Sequence, residues 1–145
     1  MSAERLIGNL LRVANEDLAG ARLLAKGGNR NAIYLCEQAA EKVIRAVLTS
    51  EGKQGGREHR LDMMVDQIPD ENPLKPLLRA VEHLAAFATT FRYPTSSGRI
   101  HETPSDSELD RSASAVEAAL KEAASQFGVN LSRKNEPAAN ARPIR

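Results

Sequence analysis

The chain of 145 residues has no tryptophan, two tyrosines, three phenylalanines and one cysteine. So few aromatics beside so many alanines suit helices that pack closely on one another. A lone Cys36 rules out an internal disulfide framework. It falls inside an apolar helical pattern, which predicts a small buried hydrophobe in a reducing cytoplasm; a reactive thiol would need exposure and a cationic neighbour. No apolar run approaches the roughly eighteen residues that a bilayer span requires, and the opening MSAERLIGNLLRVANEDL sets acids among its apolar residues. The expectation is a soluble, cytoplasmic protein with no membrane partner.

The motifs of several common chemistries are missing too. There is no HExxH and no paired CxxC. His59, His83 and His101 lie in separate segments without ligand spacing, and Glu82 adjoins His83 where a di-iron bundle would need Glu-x-x-His. Neither GxxxxGK[ST] nor GxGxxG occurs, and nothing resembles the strained elbow of a Ser-His-Asp hydrolase. No metal and no cofactor is expected. Charge of one sign is also lacking: 20 Lys and Arg stand against 19 Asp and Glu. The tail holds Arg133, Lys134, Arg142 and Arg145 against Glu136 alone, so the body is slightly acidic and any anion site must be local.

What is present is helical periodicity. Ser2 can cap a first helix whose apolar set Leu6, Leu10, Val13, Ala14, Leu18, Ala21 and Leu24 runs to Lys26, where Gly27-Gly28 stops it. The helix Ala32 to Leu48 organises the chain, with Ile33, Cys36, Ala40, Val43 and Val47 at three- and four-residue steps. The short break predicts an antiparallel hairpin of these two helices. KQGGR reads as a basic loop, Glu58 to Gln67 as a short helix ended by Pro69, and Asn72-Pro73 as the start of another helix lasting to Phe91. Tyr93 precedes a proline and is pushed out of helical geometry. Thr95 to Pro104 is turn chemistry, and Ser105 with Glu108 forms a capping box for a last helix that ends at Phe127. No alternation argues for a strand. The fold class is therefore all-α: an up-and-down four-helix bundle with one additional short helix, spanning residues 1–127, followed by a disordered basic tail over 128–145.

Glu41 and Arg45 stand one turn apart, acid first, and read either as a solvated surface pair or as part of a site. The same choice applies to the cationic and aromatic residues at helix ends. Arg92 and Tyr93, His59, and Lys42 with Arg45 could converge into a pocket with a guanidinium fork for phosphate, a phenol and an imidazole that titrates near neutrality. Alternatively, Tyr93 and Pro94 seal the bundle end while Arg92 pairs with an acid.

The segments NEDLAGARLLAKGGNRNAIYLCEQAAEKVIRAVL, HRLDMM from His59, and FRYP from Phe91 resemble, in this order, the HEPN family of small helical domains. The likeness runs from about Asn15 to Phe127. It implies a four- or five-helix bundle that commonly dimerises and is frequently encoded beside a minimal nucleotidyltransferase. Many relatives are metal-independent ribonucleases that use an Arg followed by a His four to six residues on. This sequence departs from that pattern. Arg92 is followed by Tyr93-Pro94, His101 lies too far along, Arg99 lies too near His101, and Arg79 is separated from His83 by only three residues. The chain resembles the RYP-containing branch, on the nucleotide-binding or partner-binding side of the family.

Three functions follow as expectations. The leading one is a nucleotide- or RNA-phosphate-binding module, a homodimer that accompanies a nucleotidyltransferase in a toxin–antitoxin or defence-type pair, with Arg92, Tyr93, His59, Lys42 and Arg45 at its site. The second is a metal-independent ribonuclease toxin using Arg79 with His83 or Arg99 with His101. The third is a structural dimerisation module without a ligand.

Overall fold

The computed structural model describes residues 2–53 and 60–145, and among these residues there is no strand. Three long helices make the frame: α1 (Ala3–Lys26), α2 (Ala32–Ser50) and α5 (Asp106–Phe127). Two short ones, α3 (Leu61–Asp66) and α4 (Lys75–Arg79), lie between α2 and α5, followed by two 3₁₀ turns, Glu82–Phe87 and Thr90–Arg92. The all-helical fold and the α1–α2 hairpin agree with the periodicity. α2 is the central element, touching α1, α3, α5 and the first 3₁₀ turn. Its burial explains why: Ile33, Cys36, Ala39, Ala40, Val43, Ile44, Val47 and Leu48 are all inside.

Local chemistry sets the ends. The Ser2 hydroxyl accepts the Arg5 N–H at 3.2 Å, and the Ser105 hydroxyl accepts the Glu108 N–H at 3.2 Å, so both caps act as their sequences suggest. α1 closes with the Asn29 N–H on the Leu24 carbonyl at 2.9 Å, which requires the left-handed Gly28 at φ 67°. The same device ends α5, where Gly128 has φ 63° and the Val129 N–H reaches the Ala124 carbonyl at 2.8 Å.

Two parts of the chain differ from expectation. The helix expected from Asn72 to Phe91 is α helix only over Lys75–Arg79 and then tightens into the 3₁₀ turns. Leu78, Val81, Leu84 and Phe87 recur every three residues, the repeat of a 3₁₀ helix; an α-helix would rotate successive members about 60° away from the core. Leu78, Val81 and Leu84 are buried and Phe87 half-buried, so packing on α2 and α3 rewards the tighter winding.

The tail after Phe127, expected to be disordered, instead lies along the bundle. Arg12, buried in α1, donates from Nε to the Asn130 carbonyl at 3.1 Å and from Nη1 to the Glu136 carbonyl at 2.8 Å. The Ala138 N–H donates to the Glu4 carbonyl at 2.9 Å, Ala138 and Ile144 are buried, and Arg145 forks onto Glu51 at 2.7 and 2.9 Å. The segment lacks apolar density but is held by backbone carbonyls that a buried guanidinium reads, an arrangement that composition does not register.

Candidate functional site

The 3₁₀ turn ending at Arg92 divides its side chains between inside and outside. Phe91 is buried and meets Phe87 edge-on, with ring centroids 5.1 Å apart. Arg92 and Tyr93 therefore emerge together at the surface, where Tyr93 is 65 % exposed. The Arg92 guanidinium lies 4.7 Å from the centre of the Tyr34 ring, on the first turn of α2, and 5.9 Å from the Tyr93 ring. Its Nη1 stands 3.5 Å from the Tyr34 hydroxyl, the far limit of a hydrogen bond, so the stacked geometry is the main contact. No carboxylate among the described residues pairs with Arg92. The segment from His83 to His101 contains no Asp or Glu at all, although the chain has 19. The result is a stacked guanidinium with N–H donors left for an anion, beside an exposed phenol ring.

A short ordered loop follows. The Thr95 N–H donates to the Arg99 carbonyl at 2.7 Å, the Gly98 N–H to the Thr95 carbonyl at 2.8 Å, and the Arg99 N–H to the Thr95 hydroxyl at 3.1 Å. Arg99 is exposed, and His101 packs its ring 6.3 Å from that of Phe91.

The remaining residues singled out from the sequence lie elsewhere. Lys42 is paired with Asp17 of α1 at 2.5 Å, and Arg45 with Glu41 at 3.5 Å. Both follow Tyr34 along α2, roughly 12 and 17 Å up the axis at 1.5 Å per residue. His59 lies outside the described residues. Arg79 is neutralised by Asp66 at 2.7 Å and Glu82 at 2.8 Å, whereas the His83 ring faces the Ser112 hydroxyl of α5 at 3.2 Å. Arg79 and His83 thus turn to different partners. Arg99 and His101 are not joined by a hydrogen bond either: the loop turn takes the Arg99 backbone, and the Phe91 ring takes the imidazole. The structure brings Arg92 and Tyr93 together and adds Tyr34, which sequence reasoning missed. No sequence signal names it: both tyrosines of this aromatic-poor chain meet the same arginine only through the fold.

Two of the larger clefts on the described surface lie elsewhere. One of about 300 Å³ between α1, α2 and α5 is lined by Arg22, Lys26, Cys36, Asp106 and Asp110; there Arg22 is held by Glu117 at 2.7 Å. Burial pushes the Cys36 thiol up to about 11, against the opposing charge of Arg22, so it stays protonated. The other, about 400 Å³, is floored by Ile33, Phe87 and Ala115 and edged by His83 and Arg111. Among the described residues no group of three or more His, Cys, Asp or Glu is placed to hold a metal ion, and no helix is long and apolar enough to cross a membrane.

The chain is thus a helical bundle in which Arg92, without a carboxylate partner among the described residues, lies against the rings of Tyr34 and Tyr93. The family model for the HEPN domain matches residues 7–129, and the chain belongs to that family. The match takes in nearly all of α1, α2 to α5, and the Gly128 cap. No curated protein and no solved structure matches the chain.

Proposed function

We propose that this HEPN domain binds a nucleotide or a single-stranded RNA phosphate at Arg92, with Tyr34 behind the guanidinium and Tyr93 beside it. The observation that supports this best is the state of Arg92: stacked, outward-facing and without a carboxylate partner among the described residues, in a stretch free of acids. In this reading Arg92 donates paired N–H groups to phosphate oxygens, and the exposed ring of Tyr93 offers a face on which a base can stack. Tyr34 holds the guanidinium plane, reducing the rotamer freedom lost on binding. Lys42 and Arg45 act further along α2 through their ion pairs, and His59 is part of the proposal only by its family likeness. Titration with AMP, ATP and short RNA, wild type against Arg92→Ala, tests the site; equal binding by both contradicts it.

The module works, in the same proposal, as a homodimer accompanying a minimal nucleotidyltransferase in a toxin–antitoxin or defence-type pair. The support is the HEPN membership together with the RYP sequence at Arg92. Sedimentation of the purified chain, alone and with the product of the neighbouring gene, is the test. A ribonuclease built on Arg79 and His83 has less support, since Asp66 and Glu82 already occupy that arginine.

A further inference from the structure

Arg30 lies in the connection between α1 and α2, far in sequence from the loop that carries Arg92 and Tyr93. Its Nη2 donates to the carbonyl of Phe91 at 3.1 Å, and its Nη1 to the carbonyl of His101 at 3.3 Å. The guanidinium also stacks on the Phe91 ring, 4.7 Å from its centre. One rigid fork therefore joins the residue just before Arg92 to the residue just after Ile100. Between those feet the chain exposes Arg92, Tyr93, Arg99 and Ile100, the last 73 % accessible. A planar guanidinium supplies two donors at a fixed spacing while stacking on an aromatic face; an ammonium carries its three donors on one nitrogen, without that spacing or that plane.

We infer that Arg30 is the positioning residue of the candidate site: it clamps both feet of the loop Arg92–Ile100 and so holds Arg92 and Tyr93 in register with Tyr34. As a statement about ligand binding, the inference rests on the reading of Arg92 and Tyr93 as ligand contacts; as a statement about the loop, it stands on the geometry of Arg30 alone. Without the fork, Phe91 remains anchored by Phe87, but the returning chain at His101 loses its tie to the α1–α2 connection. Tyr93 and Arg92 then sample orientations in which they no longer face a common ligand. Affinity falls by the fraction of time the competent arrangement is lost.

The test uses the full chain with Arg30→Met, which keeps the length and apolar packing, and Arg30→Lys, which keeps the charge. Amide hydrogen exchange is followed at Thr95, Gly98 and Arg99, the loop amides that donate hydrogen bonds, with amides of α5 as the control for the global fold. Binding of a single-stranded oligouridylate and of AMP is measured in parallel. The expected result is loop exchange faster by about tenfold in Arg30→Met and by less in Arg30→Lys, α5 exchange unchanged, and oligouridylate affinity lower by about tenfold in Arg30→Met. Unchanged loop exchange in both variants overturns the clamp. Faster loop exchange with wild-type affinity overturns the positioning role. Should the wild-type chain bind neither probe, the ligand reading falls by itself, and the exchange result alone upholds or overturns the clamp. If Arg30→Met does not fold, Arg30→Lys decides by the same two readouts.

Discussion

Arg92 and Tyr34 are 58 positions apart in sequence, yet the guanidinium of one lies 4.7 Å above the ring of the other. That stacking turns an exposed surface arginine into a fixed donor array, and it makes Tyr34 as much a part of the site as Tyr93. Replacing Tyr34 with leucine should therefore weaken AMP or oligouridylate binding by roughly twofold to fivefold with little change in stability, because a cation–π contact is worth about 0.5–1 kcal/mol at an exposed position. Tyr34→Phe, which keeps the ring, should bind nearly as well as wild type. Isothermal titration of the two variants distinguishes a stacking role from a hydroxyl role.

Binding of RNA should weaken with added salt, since each phosphate neutralised by Arg92 or Arg99 releases condensed counterions. Arg92→Ala is expected to lower the slope of log affinity against log salt by about one. Affinities measured across a series of potassium chloride concentrations supply the slope. An Arg92→Ala slope equal to that of wild type would place the phosphate elsewhere.

The helices were legible because their apolar steps are unambiguous: Ile33, Cys36, Ala40, Val43 and Val47 can share a face only in an α-helix, and Ser105 with Glu108 announces the start of α5. The region after Leu78 was not, because a three-residue repeat resembles an α-helical stripe until packing chooses between the two windings. The tail was missed for another reason. Its anchors are carbonyls read by Arg12, and nothing in the tail's own composition names that partner. Similarly, Arg92 and Tyr93 were visible as a motif at a helix end, but Tyr34 and Arg30 enter through contacts that span about sixty residues. Helix period locates faces; it does not say which side chain from another helix arrives there.

The end of α5 depends on Gly128. Its φ of 63° is left-handed, and a Cβ there would stand 2.6 Å from the Ala139 Cβ of the returning tail. Gly128→Ala should cost about 2 kcal/mol, of which roughly half or more is the backbone term. Urea unfolding measures the loss, and a second substitution, Ala139→Gly, should recover the part due to the steric clash.

Acid should release the tail's far end. Hydrogen bonds from Arg145 first, and from Asn72 next, hold the Glu51 carboxyl below its ordinary 4.5. A lowered folded value means that the clasp stabilises the protein above that ordinary value and loses this contribution as pH falls through the lowered one. Glu51→Gln is expected to be less stable than wild type at neutral pH and to show a smaller further loss on acidification. Urea midpoints at neutral pH and below pH 4.5 give both comparisons. Parallel acid dependence in the two proteins would show that Glu51 does not report on the clasp.

Cys36 should resist thiol reagents in the folded state, being buried against α1 and α5 with its thiol protonated well above neutrality. Labelling at pH 7 is expected to follow the rate of opening and to become fast only in denaturant. Rapid stoichiometric labelling of the native chain would mean that the cleft beside Arg22 opens freely.

The most direct measurement is a fluorescence titration, because the chain has two tyrosines and no tryptophan, so its intrinsic emission comes only from Tyr34 and Tyr93. Adding single-stranded oligouridylate to wild type should quench that emission along a saturating curve, and Arg92→Ala should shift the curve to roughly tenfold or higher concentrations. No quenching in wild type, or the same curve for Arg92→Ala, would contradict a nucleotide site at Arg92 and Tyr93.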